Sequence, residues 1–469
     1  MNPNPDRPLT ESERFPLLHE RGRAMLQRLL EHPHAPKYTF PCGDRLDAAG
    51  LERVQAFRRH LDQNRSWMQS LAEPPWLSAW IKRCVELVPF YRARTCSGIT
   101  LAEIPTCSRA DLMRAPWSFV PDDQSLDDLI VYFTSGTTGS RLFVYSHPVV
   151  SSAYLAGLEW LLAQEGIELA RGPEHVAIVQ VCAQQSTYTH ATVASYLDQA
   201  GYAKINLNPH DWRDPDDRWR FLEDCRPQVL TGDPVAFLAL AASPAQVQPR
   251  ALVSSAMLLL PETRAVLTRR FGCPVFDTYS LNEARLVAGA KDGRSLPLLA
   301  PDLCVEILDP AGQRCPEGVR GEITLTGGRN PFLPLLRYRT GDYAALGFGQ
   351  KGIELREFEG RAPVVFLDDA GRAVNSIDVT GALRAFPLAQ CVVHQLADRS
   401  LIVKVRGLGW TEEELRRVLA GVFGKGTPVT IATLSEAETT DGKVLPYKCD
   451  VKEMISGREL PNFRWQNTE

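Results

Sequence analysis

Tyr132-Phe133-Thr134-Ser135-Gly136-Thr137-Thr138-Gly139-Ser140-Arg141 is the stretch that decides how the rest of the chain is read. Leu129, Ile130 and Val131 lead into it as a strand would, and Leu142 to Tyr145 leave it as a second β-branched and aromatic run. Between the two lie hydroxyls, two glycines and a basic side chain. Glycine lets the backbone turn tightly and approach a ligand, and hydroxyls and free N–H groups hold anionic oxygens. A strand–loop–strand of this composition suits a polyphosphate. Taken alone, the five residues Ser135 to Gly139 are explained equally well by a solvated hairpin turn. The stretch is not a Walker A loop, because no Gly-Lys-Ser/Thr closes it and the run from Leu142 does not open as a helix.

The 469 residues are too many for one core and suit two or three domains. With 44% hydrophobic and 23% charged residues the composition is that of a globular protein, and a net charge of −4 with interspersed signs offers no basic face to nucleic acid or anionic lipid. The longest apolar stretch, near Ala251 to Leu260, is too short for a bilayer, so no membrane partner is expected. The opening Met1-Asn2-Pro3-Asn4-Pro5-Asp6 is polar and acidic, unlike a signal peptide. Eleven scattered cysteines with no Cys-x-x-Cys pair read as reduced, mostly buried thiols, which points to the cytoplasm.

Residues 1–125 read as a mostly helical lead-in, with Leu26, Leu29 and Leu30, and then Trp80, Ile81, Cys84, Leu87 and Val88, at helical spacing. The aromatics Trp67, Trp76 and Trp80 are expected in the core. From about 126 to 358, strand candidates (Val176–Val181, Gln228–Leu230, Ala251–Ser254, Pro274–Asp277, Leu303–Leu308, Glu322–Thr326) alternate with helical runs such as Pro261–Phe271. That alternation predicts an α/β fold around a mainly parallel sheet, with ligands at the carboxyl ends of its strands. Past 358 the pattern changes. Gly360-Arg361-Ala362-Pro363 reads as a linker, and 360–469 as a small, mobile α+β domain beside a large one of layered sheets and helices spanning 1–359. In it, Cys391–Gln395 and Leu401–Val405 read as strands. Thr411-Glu412-Glu413-Glu414 caps a helix with Leu415, Val418, Leu419 and Val422 on one face, and Gly424 ends it.

Two further segments lie downstream of the opening stretch: Tyr279-Ser280-Leu281-Asn282-Glu283, then Tyr338-Arg339-Thr340-Gly341-Asp342. In this order the three resemble the signature segments of the adenylate-forming superfamily, which comprises acyl-CoA synthetases, carrier-protein adenylation domains and luciferases. Pro334-Leu335-Leu336-Arg337-Tyr338 looks most like the phenylacetate-CoA ligase branch, and Val88-Pro89-Phe90-Tyr91-Arg92 resembles a segment of the same branch.

The resemblance implies an ATP- and Mg²⁺-dependent ligase that joins a carboxylic acid to the α-phosphate of ATP and expels pyrophosphate. Thr134, Ser135, Gly136, Thr137, Thr138 and Gly139 then supply phosphate donors, and Arg141 stands where the family usually has a lysine. Glu283 matches the magnesium-binding glutamate, a hard ligand for a hard cation. Tyr279 is implied to stack on adenine, and Asn282 replaces the usual Thr or Ser beside the α-phosphate, where an amide still donates. Ser255 and Ser280 join the nucleotide-binding set. Asp342 is implied to accept from the ribose hydroxyls, with Arg361 reaching the same sugar. Lys443, in Thr440-Asp441-Gly442-Lys443, matches the mobile catalytic lysine of the small domain; taken by itself it is a surface lysine in a glycine turn.

The acid pocket is expected from Cys182 to His190 and the residues near Met257. Gln184, Gln185, Tyr188 and His190 make it polar, which suggests a hydroxylated or amino-bearing acid, although His190 fits a core histidine as well. Two departures bear on the second half-reaction: Ala362-Pro363 at the expected hinge, and an altered loop at Leu367 to Asn375. Transfer to CoA is therefore less supported than adenylate formation, and an amine or a carrier-protein thiol stands as an alternative acceptor. The rival from another class is a degenerate member that binds nucleotide or acyl-adenylate as a sensor. Oligomeric state is open, a homodimer included.

Overall fold

The computed structural model describes residues 8 to 451 except 64–72, 96–99, 135–141, 185–186, 292, 294, 361–363 and 440–443. Its centre is a seven-stranded sheet in the order Arg285–Ala290, Val275–Leu281, Ala251–Ser254, Val229–Gly232, Val176–Cys182, Ala200–Asn206, His190–Ala194. The five inner strands run parallel, and each outermost strand is antiparallel to its neighbour. Such strands are buried on both faces and read as apolar runs. One face packs on helices Ala48–Gln63 and Pro148–Ala163, the other on Glu20–Leu30, Asp217–Cys225, Pro234–Ala241 and Pro261–Phe271. Local chemistry sets the last helix: proline opens it and Gly272, at φ +65°, closes it.

The expected alternation stops earlier than the sequence suggested. From Leu296 to Glu359 the chain forms an antiparallel sheet in the order Leu296–Pro297, Gly352–Glu359, Leu335–Gly349, Gly321–Gly327, Leu303–Leu308, with Cys107–Ser108 added in parallel to the long strand. Leu303–Leu308 and Glu322–Thr326 are thus strands as read, but of a second sheet. The lead-in is helical, and Leu26 and Leu29 enter the core, whereas Leu30 faces out with 43% of its surface exposed. Trp76 and Trp80 are half-buried, and their indoles donate to Pro301 O (3.2 Å) and Leu335 O (2.9 Å); Trp67 lies outside the described residues.

Residues 364–451 build their own core around Phe366, Val379, Val403, Leu415 and Phe423. Strands Val429–Thr433, Leu401–Gly407, Leu388–Gln395 and Tyr447–Cys449 form its sheet, in that order. Helix Glu412–Phe423 starts as its capping residues dictate, with Thr411 Oγ1 accepting from Glu414 N at 3.3 Å, and Gly424 caps its end. This unit rests on the larger one: Leu260 packs in its core, and Thr263 Oγ1 donates to Leu388 O at 2.8 Å. Among the described residues, no helix is long and apolar enough to cross a membrane.

Candidate active site

The hairpin that carries the opening stretch pairs Ile130–Thr134 with Leu142–Ser146, and Thr134 is the last paired residue before the loop. Ser135, Gly136, Thr137, Thr138, Gly139 and Arg141 lie outside the described residues, as do Gln185, Arg361, Lys443 and the hinge pair Ala362-Pro363. Tyr132 ties the hairpin to the helix Pro148–Ala163 and to the edge strand of the main sheet. Tyr132 Oη lies 2.6 Å from Ser151 Oγ, and the Arg285 guanidinium sits 4.3 Å over the Tyr132 ring.

The other two segments meet through a reciprocal pair of hydrogen bonds. Tyr279 Oη donates to Asp342 Oδ2 at 2.8 Å, and Tyr338 Oη donates to Glu283 Oε1 at 2.8 Å. Each tyrosine stands four residues before an acid, and each donates a hydrogen bond to the acid of the other segment. Tyr279 and Glu283 belong to the parallel sheet and its edge turn; Tyr338 and Asp342 belong to the antiparallel one. The pair therefore clasps the sheets together. Burial, reinforced by the facing carboxylates, pushes both phenols well above their ordinary pKa, so both hydroxyls stay protonated and donate. Glu283 is 6% exposed, which rules out a surface acid, and among the described residues no basic side chain forms an ion pair with it.

The Tyr279 ring is 5% exposed and packs on Phe358, with ring centroids 4.6 Å apart, so a base stacked on it would have to take Phe358's place or lie along the ring edge. The turn holding Asp342 is tied to the neighbouring strand. Glu322 accepts from Gly341 N (2.9 Å) and Arg339 Nε (2.6 Å), and Thr340 Oγ1 donates to Ile323 O. Gly341 adopts φ +81°, a conformation that favours glycine. Tyr91 reaches the same strand from the lead-in: its hydroxyl donates to Pro334 O (3.1 Å) and accepts from Leu336 N (3.0 Å). The two segments that resemble the phenylacetate-CoA ligase branch are thus in contact.

Ser280 lies half-buried in the strand Val275–Leu281, and Asn282 half-buried in the turn before Arg285. Ser255 comes just after Ala251–Ser254, its N–H bonded to Gly232 O at 2.9 Å. The next residue, Ala256, has φ +68°, an uncommon state for a residue with a Cβ and one that clusters at functional sites. Met257 is half-buried, and Gln390 Nε2 of the C-terminal unit approaches its sulfur at 3.9 Å.

The expected acid-pocket segment is only partly available to a ligand. Thr189 is fully buried and bonded to Lys37 O and Thr39, and the backbone of Gln184 is fixed by the Asn206 amide. Tyr188 is 52% exposed, while His190 is 8% exposed, and its Nδ1 has no hydrogen-bond partner among the described residues. The ring of His190 stacks between Tyr188 and Tyr202, and burial, then Lys204, pushes its pKa down to about 4, so it is neutral at physiological pH. Sequence reading missed Lys204. It is 6% exposed, and its ammonium sits 3.4 Å from the centre of the Tyr188 ring. The available signal was a lone lysine within the apolar strand Ala200–Asn206.

Residues 99–330 match the model of the AMP-binding enzyme family. No curated protein sequence matches the chain. Among solved structures, the fold is similar to 2-hydroxyisobutyryl-CoA ligase in the postadenylation state: the TM-score is 0.60 at 17% identity, over 88% of this chain and 91% of that one. An open conformation of that ligase, in complex with 2-HIB-AMP and CoA, gives a TM-score of 0.52 at 18% identity, over 88% and 93%. The family model thus covers the segment that holds the threonine-rich stretch and Glu283, and the similarity of fold extends over most of the chain.

Proposed function

We propose that this chain is an ATP-dependent ligase that activates a carboxylic acid as its acyl-adenylate and then hands the acyl group to CoA or another acceptor. The observation that carries the reading is the reciprocal clasp, which draws Glu283 and Asp342 together from segments far apart in the chain. In the first step a carboxylate oxygen attacks the α-phosphorus, a P–O bond to the β-phosphate breaks, and pyrophosphate leaves. Two anions must meet, so positioning and charge neutralisation supply most of the catalysis.

In this reading Asp342, held beside Tyr279, accepts from the ribose, and the loop after Thr134 holds the triphosphate. Glu283 suits a magnesium ion: it is buried, one oxygen is steadied by Tyr338, and no cation competes for it among the described residues. No group of three metal-ligating side chains occurs among the described residues, so the remaining ligands would be phosphate oxygens and water. Magnesium would offset phosphate charge. In the same reading Asn282, at the edge turn, donates to the α-phosphate region, and Lys443 is assigned to the incoming carboxylate.

The domain boundary is proposed at 359/360, where the strand Gly352–Glu359 ends and the separate C-terminal core begins. The branch assignment to phenylacetate-CoA-ligase-like enzymes rests on the motif text and on the Tyr91 contact. Burial pushes the thiols of Cys84, Cys107, Cys304 and Cys391 up to about 12, which suits a reducing compartment. Pyrophosphate exchange across a panel of acids tests the reading, and absence of exchange with every acid, in folded protein, refutes it. Product analysis with CoA, amines and a carrier-protein thiol offered separately then identifies the acceptor.

A further inference from the structure

Lys204, His190 and Gln180 lie side by side across three adjacent strands, because Lys204 pairs in register with His190 on one side and with Gln180 on the other. Register partners share a face of the sheet, so the three form one polar row. The row stands near the carboxyl ends of the parallel strands Val176–Cys182 and Ala200–Asn206, where open α/β sheets bind ligands. Gln180 is occupied, since its Oε1 accepts from Tyr202 Oη at 3.1 Å. Lys204 makes no ion pair or hydrogen bond among the described residues, and its contact is the Tyr188 ring. His190 Nδ1 beside it also has no partner among the described residues.

A second cation lies within electrostatic reach of the same tyrosine. Arg285 comes from the opposite edge of the sheet, with buried Nε and Nη2 that have no hydrogen-bond partner among the described residues. Its charge is felt at the Tyr188 hydroxyl. Its backbone holds φ +62°, a strained state that aims the side chain over Tyr132, on the strand leading into the threonine-rich loop. Burying a cation with no carboxylate costs several kcal/mol, and a protein keeps such a residue where a ligand supplies the missing charge.

The two cations differ in position, and that difference decides what they want. Arg285 stands by the hairpin, which the adenylation reading gives to the phosphates and the reacting carboxylate. Lys204 stands by the opposite edge of the sheet. The reacting carboxylate becomes part of a mixed anhydride and loses its charge, so it does not answer the second cation. We propose that the acid activated here is a diacid, whose second carboxylate is held by Lys204 with His190 at its side. The same charges repel an amino-bearing acid, which narrows the reading drawn from the polar loop alone. This inference rests on the adenylation reading for the first carboxylate, but not for the second.

The test compares wild type with Lys204→Met and Lys204→Arg, using malonate, succinate, glutarate, adipate and isophthalate, each beside its monoamide. The monoamide keeps size and removes one charge. Two readouts are taken: pyrophosphate exchange, and direct binding by calorimetry without ATP. The expected result is a preference of tenfold or more in kcat/KM for at least one diacid over its monoamide, abolished in Lys204→Met and partly kept in Lys204→Arg. Lys204→Met should also melt no lower than wild type, because it removes an unpaired buried charge; a clear loss of stability would assign Lys204 a structural role and overturn the proposal. Preference for monoamides, or a diacid preference untouched by Lys204→Met, overturns it too, as does the absence of both exchange and Lys204-dependent binding with every diacid. Diacid binding that depends on Lys204, without exchange, leaves this site standing and refutes adenylation instead.

Discussion

Replacing Tyr338 by Phe removes one hydroxyl from the reciprocal clasp and leaves its ring in place. The bond lost is an O–H···O⁻ contact of 2.8 Å between side chains 1% and 6% exposed, so water does not readily replace it. A hydrogen bond to a charged group contributes about 1.5–3 kcal/mol, and loss of its donor leaves a buried carboxylate short of a partner. The large unit of Tyr338→Phe should therefore lose about that much stability in denaturant unfolding. The functional effect should be specific. Residues that orient a metal ligand typically change metal affinity by about 10- to 100-fold, so the magnesium activation curve for pyrophosphate exchange should move by about tenfold or more. The KM for ATP, measured at saturating magnesium, should move little. Tyr279→Phe is the internal comparison: it cuts an equally short bond, to Asp342, and should raise the KM for ATP while leaving the magnesium curve in place. If Tyr338→Phe shifts the ATP dependence instead, or shifts neither, Glu283 does not hold the metal and the assignment of the two acids fails.

Lys443→Ala should lose most adenylation while ATP binding, measured by calorimetry, stays within about threefold; adenylation at the wild-type rate would remove the small domain from the first step. His190 should impose an acid limb on stability. Its folded pKa, about 4, lies below the ordinary 6.5, so the unfolded chain binds the extra proton and stability falls as pH drops from about 6.5 to 4, by about 3 kcal/mol, with the limb flattened in His190→Phe. Cys84, Cys107, Cys225, Cys304 and Cys391 have thiols pushed up to about 12 by burial, so at pH 8 they should react with a disulfide reagent only after denaturant is added; rapid labelling of the folded protein at these positions would show that the core opens.

Much of this architecture is legible in the chain because local rules and tertiary packing agree there. The strand Ala251–Ser254 and the helix Pro261–Phe271 have the bounds that their apolar run and their proline and glycine dictate, and Thr411 caps as its spacing requires. The antiparallel sheet is harder to read. The strand Leu335–Gly349 runs through Thr340-Gly341-Asp342, a sequence that looks like a turn, and Glu322 on the neighbouring strand holds that irregularity in the ladder. The candidate site shows the same division. Glu283 and Asp342 can be picked out from their segments, but the exchange of partners between the two tyrosines depends on how two sheets face each other, which four-residue spacing does not encode. Lys204 escapes a reading of the sequence for a similar reason: one lysine among apolar neighbours acquires meaning only when strand register sets His190 and Gln180 beside it.

Met257 sits at a junction whose effect reaches past ligand fit. It borders the expected acid pocket, its sulfur is approached by Gln390 of the C-terminal unit, and the nearby Thr263 hydroxyl bonds Leu388 at the start of the same strand. In the proposed reading, choice of acid and the seating of the C-terminal unit therefore share one side chain. Any variant that reshapes this wall to admit a new acid also loosens or tightens the seat of the C-terminal unit, so redesigned specificity should arrive with an altered turnover rate unless Gln390 is changed with it.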